Sequence, residues 1–294
     1  MASINVSSEE ILKSIKSVPA LSPGAGQLLD VLGSGQYEIS DIVKVIENDS
    51  ALTVNVLKVV NSASMGMRRE ITSVHQAAAF LGDTKVIGIA LASAGGDTFN
   101  ADLAGYHGDR GMLGKHCLWV ALAARELSRH TDGVVDKGVA FTAGLLHDIG
   151  KAVISDYMVE LVPSIMEQAG KETEPDHLSA ERNIMGTDHC EVGCQLARHW
   201  KMPESLITGI EFHHNPAGAP EEFRAMAYVI HLADTLAMMQ GVGTGVDDMQ
   251  YKFDVDYEKY LKLDANALEG LALDVQIDFN ATAEALFGTD QETE

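Results

Sequence analysis

Helical periodicity constrains this chain more than any other feature of its sequence. Apolar residues recur at intervals of three and four along most of the chain, whereas the alternating pattern of β-strands is nearly missing. Residues 112–130 carry one long apolar stripe, and residues 137–149 are apolar on almost every side, which is typical of a fully buried helix. Because 46% of the 294 residues are hydrophobic, the chain can bury a sizeable core. The sequence therefore predicts an all-α protein of two packed helical modules.

Glycine-rich stretches divide the helical pattern and suggest where the modules meet. Gly95-Gly96-Asp97 and the stretch over residues 105–114 both interrupt the periodicity, and glycine is unfavourable inside a helix. We predict an N-terminal helical module over 1–96, a second helical module over 97–245, and a helical tail over 246–294 packed on the core.

Charge and cysteine content exclude several classes of protein. The chain has 21 Lys and Arg against 43 Asp and Glu, and the resulting net charge of −22 repels polyanions, so we expect no nucleic-acid partner. No apolar run approaches the roughly 20 residues of a bilayer span, and no apolar signal region opens the chain. We therefore expect no membrane partner and a cytoplasmic location. Cys117, Cys190 and Cys194 are expected to be free thiols that pack as small hydrophobic residues.

A His-Asp pair at the end of the buried helix indicates chemistry. His147 and Asp148 end the apolar stretch over 137–149, where an uncompensated carboxylate would cost several kcal/mol. A divalent cation would compensate the charge, because imidazole and carboxylate together suit iron, manganese, zinc or nickel. The alternative is an ordinary helix-end pair that makes caps and hydrogen bonds.

Further polar residues interrupt apolar helix faces in the same way. Buried polar groups need partners, and these residues could find them in one another through metal, or else form a hydrogen-bonded polar core. We expect His130 and His177 to stand outside the set. With the His-Asp pair, the candidate metal ligands are His116, His147, Asp148, His189, His213, His214 and Asp234.

The order and context of these residues resemble a known superfamily. His116, the pair within GLLHDIGK and Asp234 within VIHLADTLA follow the His…His-Asp…Asp order of the HD phosphohydrolases. The phrases VPALSPGAGQLLDVL, ISDIVKVIENDSALTVNVLKVVNSASMG and ITSVHQAAAFLG are similar to the HDOD signalling domain, and the likeness spans roughly residues 10–240. The resemblance implies that the second module is an HD-superfamily helical bundle with a metal site.

The resemblance also implies roles for individual residues. The seven candidate ligands match those of the related HD-GYP phosphodiesterases, whose iron-type centre cleaves cyclic di-GMP. By this likeness, Asp148 bridges two ions, with His116, His147 and Asp234 on one and His189, His213 and His214 on the other. Lys151 resembles the lysine that meets a substrate phosphate in catalytic relatives, although a cation favourable at a helix C-terminus is an equal alternative. Asp148 and Lys151 are thus the candidate catalytic residues.

Two functions follow from this likeness. The first is a bacterial HDOD-type regulatory protein that binds a signalling protein partner and holds two or three divalent transition-metal ions, with iron favoured over manganese, nickel or zinc. The second is a metal-dependent phosphohydrolase or phosphodiesterase for a nucleotide or cyclic dinucleotide, with a phosphate-containing small molecule as ligand. Residues 215–220 read NPAGAP where HD-GYP proteins carry their signature loop, which favours the first function.

Overall fold

The protein is built from α-helices joined by short connections. The computed structural model describes residues 8–18, 21–34, 36–62, 65–67, 69–94, 98, 101–169 and 176–287. Within these ranges there is no strand, only an isolated β-bridge between Leu103 and Gly108, so the predicted all-α class is confirmed. None of the helices in these ranges has both the length and the hydropathy needed to cross a bilayer.

The helices in chain order are α1 (Ser8–Ser14), α2 (Pro23–Gly33), α3 (Ile39–Glu47), α4 (Ser50–Val60), α5 (Val74–Leu81), α6 (Asp83–Ala94), α7 (Met112–Ser128), α8 (Lys137–Leu146), α9 (Ile149–Met158), α10 (Val162–Ala169), α11 (His177–Met185), α12 (His189–His199), α13 (Glu204–Phe212), α14 (Arg224–Met239) and α15 (Ala265–Phe287).

Local capping fixes where several of these helices begin. The Asp188 side chain precedes α12 and accepts a hydrogen bond from the N–H of Glu191 at 2.8 Å. Asp136 precedes α8 and accepts from the N–H groups of Gly138 and Val139. These bonds satisfy donors that the first turn of a helix leaves unpaired. The starts of these two helices are therefore encoded in the adjacent sequence.

Two predicted helices are divided in the structure. The helix predicted over 137–149 ends early, as α8, and the stretch 151–169 is split between α9 and α10. At the first break the His147 Nδ1–H donates to the Gly144 carbonyl at 2.8 Å, and Asp148 leaves the helical region with φ −102° and ψ 12°. The apolar periodicity of the sequence continues across the break, because the residues at the end of α8 and at the start of α9 are both buried. The break turns the His-Asp pair into the interior.

Helix α7 lies at the centre of the molecule and packs against α8, α14 and α15. Most of its side chains are buried, including Trp119. Its contact with α8 is close because α8 carries Gly144, where an added Cβ would lie 2.8 Å from the Cα of Ala121. Such a short approach has no room for a side chain. It brings polar residues of α7 within reach of the end of α8.

The N-terminal helices pack directly on the second half of the chain. Helix α6 contacts α8, and an added Cβ on Gly88 would lie 2.6 Å from Cζ of Phe141. Buried residues from both predicted modules belong to one hydrophobic core. The boundary predicted at Gly95-Gly96-Asp97 falls outside the described residues, so the division into 1–96, 97–245 and 246–294 stays a prediction.

The C-terminal helix α15 is joined to α7 and α6 through polar side chains. Trp119 Nε1–H donates to Gln276 Oε1 at 2.9 Å. Asp278 pairs with Lys85 and with Arg125, each at 3.1 Å. Partial burial would raise the pKa of Asp278, but the two cations hold it below its ordinary value. One carboxylate thus connects three helices.

The Asp278 carboxylate should stabilise the fold only while it is ionised. Because its pKa is lower in the folded chain, its contribution is complete above the unfolded-state pKa and is lost as pH falls through the folded-state pKa. We expect Asp278→Asn to lower the free energy of unfolding at pH 7 by about 1 kcal/mol, measured by urea denaturation. Asp274→Asn, exposed one turn earlier, should have almost no effect, and equal losses in both variants would contradict this role.

Candidate metal centre

Seven side chains from separate parts of the fold meet in one buried cluster. None of these side chains is more than 4% exposed. The structure therefore brings together all the residues that the sequence singles out as candidate ligands. They are His116 on α7, His147 and Asp148 between α8 and α9, His189 at the start of α12, His213 and His214 after α13, and Asp234 on α14.

The Asp148 carboxylate lies at the middle of the cluster. Its Oδ2 is 3.5 Å from Nε2 of both His116 and His147, and its Oδ1 is 3.6 Å and 3.5 Å from Nε2 of His189 and His213. Both oxygens are buried, and within the described residues the one close donor besides the imidazoles is the Lys151 ammonium, 2.8 Å from Oδ2. The Asp148 side chain makes no capping bond to α9. The carboxylate faces an imidazole pair on each side.

Backbone carbonyls fix the orientation of three histidines. The Nδ1–H groups of His116, His147 and His213 donate to main-chain oxygens at 2.7, 2.8 and 2.8 Å. Each ring therefore turns its Nε2 toward the cluster with a free lone pair. Histidines that bind metals are oriented in this way, with the second nitrogen held by an acceptor. The orientation is a property of the fold, because the acceptors are main-chain atoms.

The spacing of two imidazoles suits a shared cation. The Nε2 atoms of His116 and His147 are 3.2 Å apart, and both Nδ1 protons are already donated elsewhere. Two lone pairs at this distance repel each other. Two nitrogens bound to one ion at about 2.0–2.1 Å would be separated by about 2.8–3.0 Å at an octahedral angle or about 3.3–3.4 Å at a tetrahedral angle. A positive ion between them would turn the repulsion into attraction.

Asp234 is placed between the two sides of the cluster. Its Oδ1 is 3.2 Å from His116 Nε2 and 3.7 Å from His147 Nε2, whereas its Oδ2 is 3.8 Å from His214 Nδ1. Burial raises the pKa of Asp234, but the neighbouring His116 and His147 rings keep it well below its ordinary value. An ionised carboxylate therefore accompanies the first imidazole pair.

The pKa shifts of His213, His214 and Asp148 favour the protonation states of metal ligands, whereas nearby acidic groups raise the pKa of His116 and of His189 despite their burial. Burial lowers the pKa of His213 to about 4 and that of His214 well below its usual range, so both rings are neutral at pH 7. Burial alone would raise the pKa of Asp148, yet the Lys151 ammonium and the neighbouring imidazoles hold it well below its ordinary value. Metals bind neutral imidazoles and ionised carboxylates. This nitrogen and oxygen donor set fits divalent first-row transition ions.

Glu181 supports the cluster and was missed by the sequence analysis. Its Oε2 accepts from the His189 Nδ1–H at 2.8 Å and from the His189 backbone N–H at 3.0 Å. Its Oε1 accepts from the Tyr106 hydroxyl at 2.9 Å. The signal was present, because Glu181 interrupts the apolar stripe of Leu178 and Met185 on α11. The Glu181 carboxylate thus fixes the orientation of the His189 ring, as main-chain carbonyls fix the rings of His116, His147 and His213.

His177 lies beside this carboxylate, outside the candidate ligand set but too close to the site to serve as a control residue. It is fully buried, and its Nδ1 is 3.1 Å from Glu181 Oε1. Tyr106 and Tyr251 flank its ring, with centroids 5.9 Å away in each case. His130, in contrast, lies just beyond α7 and remains the appropriate control residue.

The cysteines are free and buried, as the sequence predicts. Cys190 departs from the interpretation as a simple core residue, because its Sγ is 3.8 Å from His213 Nε2. Together with His189, His213 and His214 it forms a group of donor atoms close enough to hold one ion. Burial raises its pKa to about 12, so it is a thiol in the absence of metal.

Lys151 lies in the first turn of α9, so the interpretation as a cation at a helix C-terminus is wrong. Its Nζ is 2.8 Å from Asp148 Oδ2. On its other side it contacts Thr244 and Asp247, in a loop whose sequence has no periodicity that could have revealed them. The candidate catalytic lysine is therefore buried and fully engaged.

The sequence of the chain is similar to that of a known bacterial protein. A protein from Treponema pallidum, itself uncharacterized, is 26% identical over 228 residues, which is 77% of this chain. The chain spans 44% of that relative's length.

Solved structures share the fold. An HDOD domain protein of unknown function from Geobacter sulfurreducens is similar with a TM-score of 0.69 and 21% identity, over 95% of this chain and 97% of that one. A Shewanella amazonensis protein provisionally named a phosphohydrolase is similar with a TM-score of 0.64 and 23% identity, over 94% and 96% of the two chains.

The family model of the HDOD domain matches residues 18–216, about two thirds of the chain. The match includes helices α2 to α6 and six of the seven clustered side chains, and it ends just after the paired histidines. Asp234 lies beyond it. The chain belongs to the HDOD domain family.

Proposed function

We propose that this protein is an HDOD regulatory protein with a centre of two transition-metal ions, whose role is structural or sensory. The observation that carries the proposal is Asp148: a buried carboxylate that faces an imidazole pair on each side and whose one cation, Lys151, is shared with the Asp247 carboxylate. Leaving such a charge uncompensated would cost several kcal/mol. Two ions, one on each carboxylate oxygen, would compensate it.

The donor sets assign the seven side chains to two positions. His116 and His147 face Oδ2 of Asp148, and Asp234 lies beside both of these imidazoles. The imidazoles of the second position, near Oδ1, are His189, His213 and His214. Iron or manganese fits this mixture of imidazole and carboxylate, and nickel or zinc also accepts it. We favour iron, by similarity to the HD-GYP proteins.

The burial of the site and the pairing of its lysine favour a regulatory role. The cluster is buried, and Lys151 is 2% exposed and paired with two carboxylates, so no cation is free to receive a substrate. The chain after the paired histidines, residues 215–220, has one amide and otherwise only Pro, Ala and Gly. It provides neither an aromatic ring for a base nor a charge for a phosphate. A buried centre can still stabilise one conformation that a signalling protein partner recognises.

A metal-dependent phosphohydrolase is the second candidate. The complete ligand set with Lys151 beside Asp148 favours it. When bound, two ions supply an activated hydroxide and a clamp for phosphoryl oxygens. This chain would then use Asp148 to set their spacing, the carbonyl-held imidazoles to fix their positions, and Lys151 to orient a phosphate group. Its ligand would be a nucleotide or another phosphate-containing small molecule.

The location and partners follow from the same considerations. We place the protein in the cytoplasm, by its free thiols and by its similarity to bacterial signalling proteins. A net charge of −22 disfavours nucleic acid and anionic lipid as partners. A protein partner that carries complementary positive charge fits better.

The purified protein should contain bound transition metal. Elemental analysis by mass spectrometry after purification without chelator should find about two ions per chain, with iron the main element. Chelation should lower the melting temperature, because metal binds the folded chain in preference to the unfolded one. A metal content that stays far below one ion per chain after reconstitution with iron or manganese would contradict the metal centre. The seven side chains would then form a hydrogen-bonded polar core.

Asp148→Ala should release most of the metal and reduce the melting temperature by several degrees, because the bridging carboxylate serves both positions. His130→Ala should do neither. Elemental analysis and calorimetry of the two variants test whether Asp148 is a bridging ligand. If both variants keep wild-type metal and stability, Asp148 does not bridge ions.

Hydrolysis of cyclic di-GMP should be undetectable or very slow even in metal-loaded protein. In-line cleavage needs a held substrate as well as an activated hydroxide, and orientation can supply several kcal/mol of barrier lowering. Residues 215–220 offer nothing that grips a guanine. Chromatographic assay of the dinucleotide checks this. Robust turnover that follows iron content and disappears in Asp148→Ala would make the enzyme the first candidate.

A further inference from the structure

Cys190 lies against the second position of the cluster, although it is not among the seven candidate ligands. It follows His189 in the first turn of α12 and is 1% exposed. Its Sγ is 3.8 Å from His213 Nε2. With one nitrogen from each of the three imidazoles of that position, the sulfur forms a group of donor atoms that all lie within 4.8 Å of one another. A sulfur donor thus accompanies the three imidazoles.

Two of these imidazoles carry buried nitrogens without a partner. His189 Nε2 and His214 Nε2 are buried and have no hydrogen-bond partner among the residues that the structure describes. Asp148 Oδ1 lies 3.6 Å from His189 Nε2, beyond hydrogen-bond distance. Buried polar atoms are normally satisfied by protein groups, water or an ion. Both rings belong to the same donor group as the Cys190 sulfur, so this group points to a bound ion.

The spacing between sulfur and nitrogen suits a shared ion. In zinc sites the metal is about 2.0–2.1 Å from an imidazole nitrogen and about 2.3 Å from a sulfur, so two such donors at a tetrahedral angle lie about 3.5–3.6 Å apart. The observed separation between Cys190 Sγ and His213 Nε2 is 3.8 Å. A small movement of the sulfur would bring it into coordination.

The two positions of the cluster differ in the type of donor that surrounds them. The first has two imidazoles with the Asp234 carboxylate and with Oδ2 of Asp148, so half of its donors are oxygens. The second has three imidazoles and faces Oδ1 of the same Asp148 carboxylate. A thiolate is a softer donor than a carboxylate and favours zinc, whereas carboxylate oxygens suit manganese. A sulfur ligand would therefore make the second position more selective than the first.

The other two cysteines have different surroundings. Cys194, one turn later on α12, donates from Sγ to Glu211 at 3.2 Å and accepts from Arg198 Nε at 3.3 Å. Cys117 is fully buried on α7 and belongs to no such donor group within the described ranges. Cys194 is the matched control, because it is a thiol on the same helix whose sulfur has its own hydrogen-bonding partners.

We propose that Cys190 is a thiolate ligand of the second metal position and makes that position selective for zinc or iron(II) over manganese. As the bond between sulfur and metal forms, the thiol proton passes to solvent, so the step needs no oxidant or reductant. The proposal deepens the proposed function and rests on it, because it requires an ion at the second position. The alternative is a thiol that only donates a weak hydrogen bond to His213.

Cobalt(II) loading of the chelated protein tests the sulfur ligand directly. Sulfur bound to cobalt(II) gives an intense charge-transfer band in the near ultraviolet, which imidazole and carboxylate ligands do not give. We expect this band in wild type and in Cys194→Ser. Cys190→Ser and Cys190→Ala should lose it while the first position still takes up cobalt, as measured by elemental analysis.

Competition between zinc and manganese tests the selectivity. Loss of a direct ligand should weaken zinc binding by at least the roughly 10- to 100-fold that loss of an outer-shell partner costs. Nitrogen donors alone already prefer zinc to manganese, so the quantity to compare is the ratio of the two metals taken up from an equimolar mixture. That ratio should fall in Cys190→Ser and stay at the wild-type value in Cys194→Ser. Equal ratios in the two variants would contradict the selectivity.

X-ray absorption at the zinc edge of the wild-type protein decides the ligand without any variant, in case Cys190→Ser fails to fold. A sulfur neighbour at about 2.3 Å is expected beside nitrogen and oxygen neighbours at about 2.0–2.2 Å. Two bound ions with neither a sulfur neighbour nor a charge-transfer band would overturn the thiolate ligand and leave the metal centre intact. A band that persists in Cys190→Ser would place the metal on another cysteine and also overturn it. Failure to take up cobalt or zinc would contradict the metal centre itself, so the two failures are distinguishable.

Discussion

The rest of the site depends on one buried charge, the carboxylate of Asp148. It lies at the junction of α8 and α9 and is 1% exposed. Its surroundings compensate it by a lysine on one side and by imidazoles on both. Because a buried carboxylate without such partners would destabilise the fold, the helices that deliver those partners must keep fixed positions. The cluster is therefore a constraint on the packing as well as a candidate site.

The helices satisfy this constraint through close contacts and through main-chain acceptors. Gly144 lets α8 approach α7, and its carbonyl also accepts from His147. Carbonyls likewise orient His116 and His213, while Glu181 orients His189. These acceptors prevent the rings from rotating, so their free nitrogens point inward before any ion binds. Such preorganisation reduces the ordering that binding would otherwise require.

Family membership and site chemistry answer different questions here. The HDOD match covers the packing of the N-terminal helices on the HD-type half, and relatives under 25% identical share that fold. The match ends before Asp234 and before the segment that carries Thr244, Asp247 and Tyr251. That segment engages Lys151 and covers His214. The cluster is thus covered by residues that lie outside the matched range.

The sequence by itself determined the helical class and the candidate ligands. Apolar periodicity is local, and a polar residue such as Asp234 stands out because it interrupts an apolar face. The same signal could have found Glu181. Only the tertiary structure decided that α8 ends at Leu146, that His177 adjoins Glu181, and that Asp247 reaches Lys151. Lys151 and Asp247 are 96 residues apart, and Asp247 lies in a loop whose sequence has no periodicity. Spacing along the chain does not tell which distant side chains meet once the helices pack.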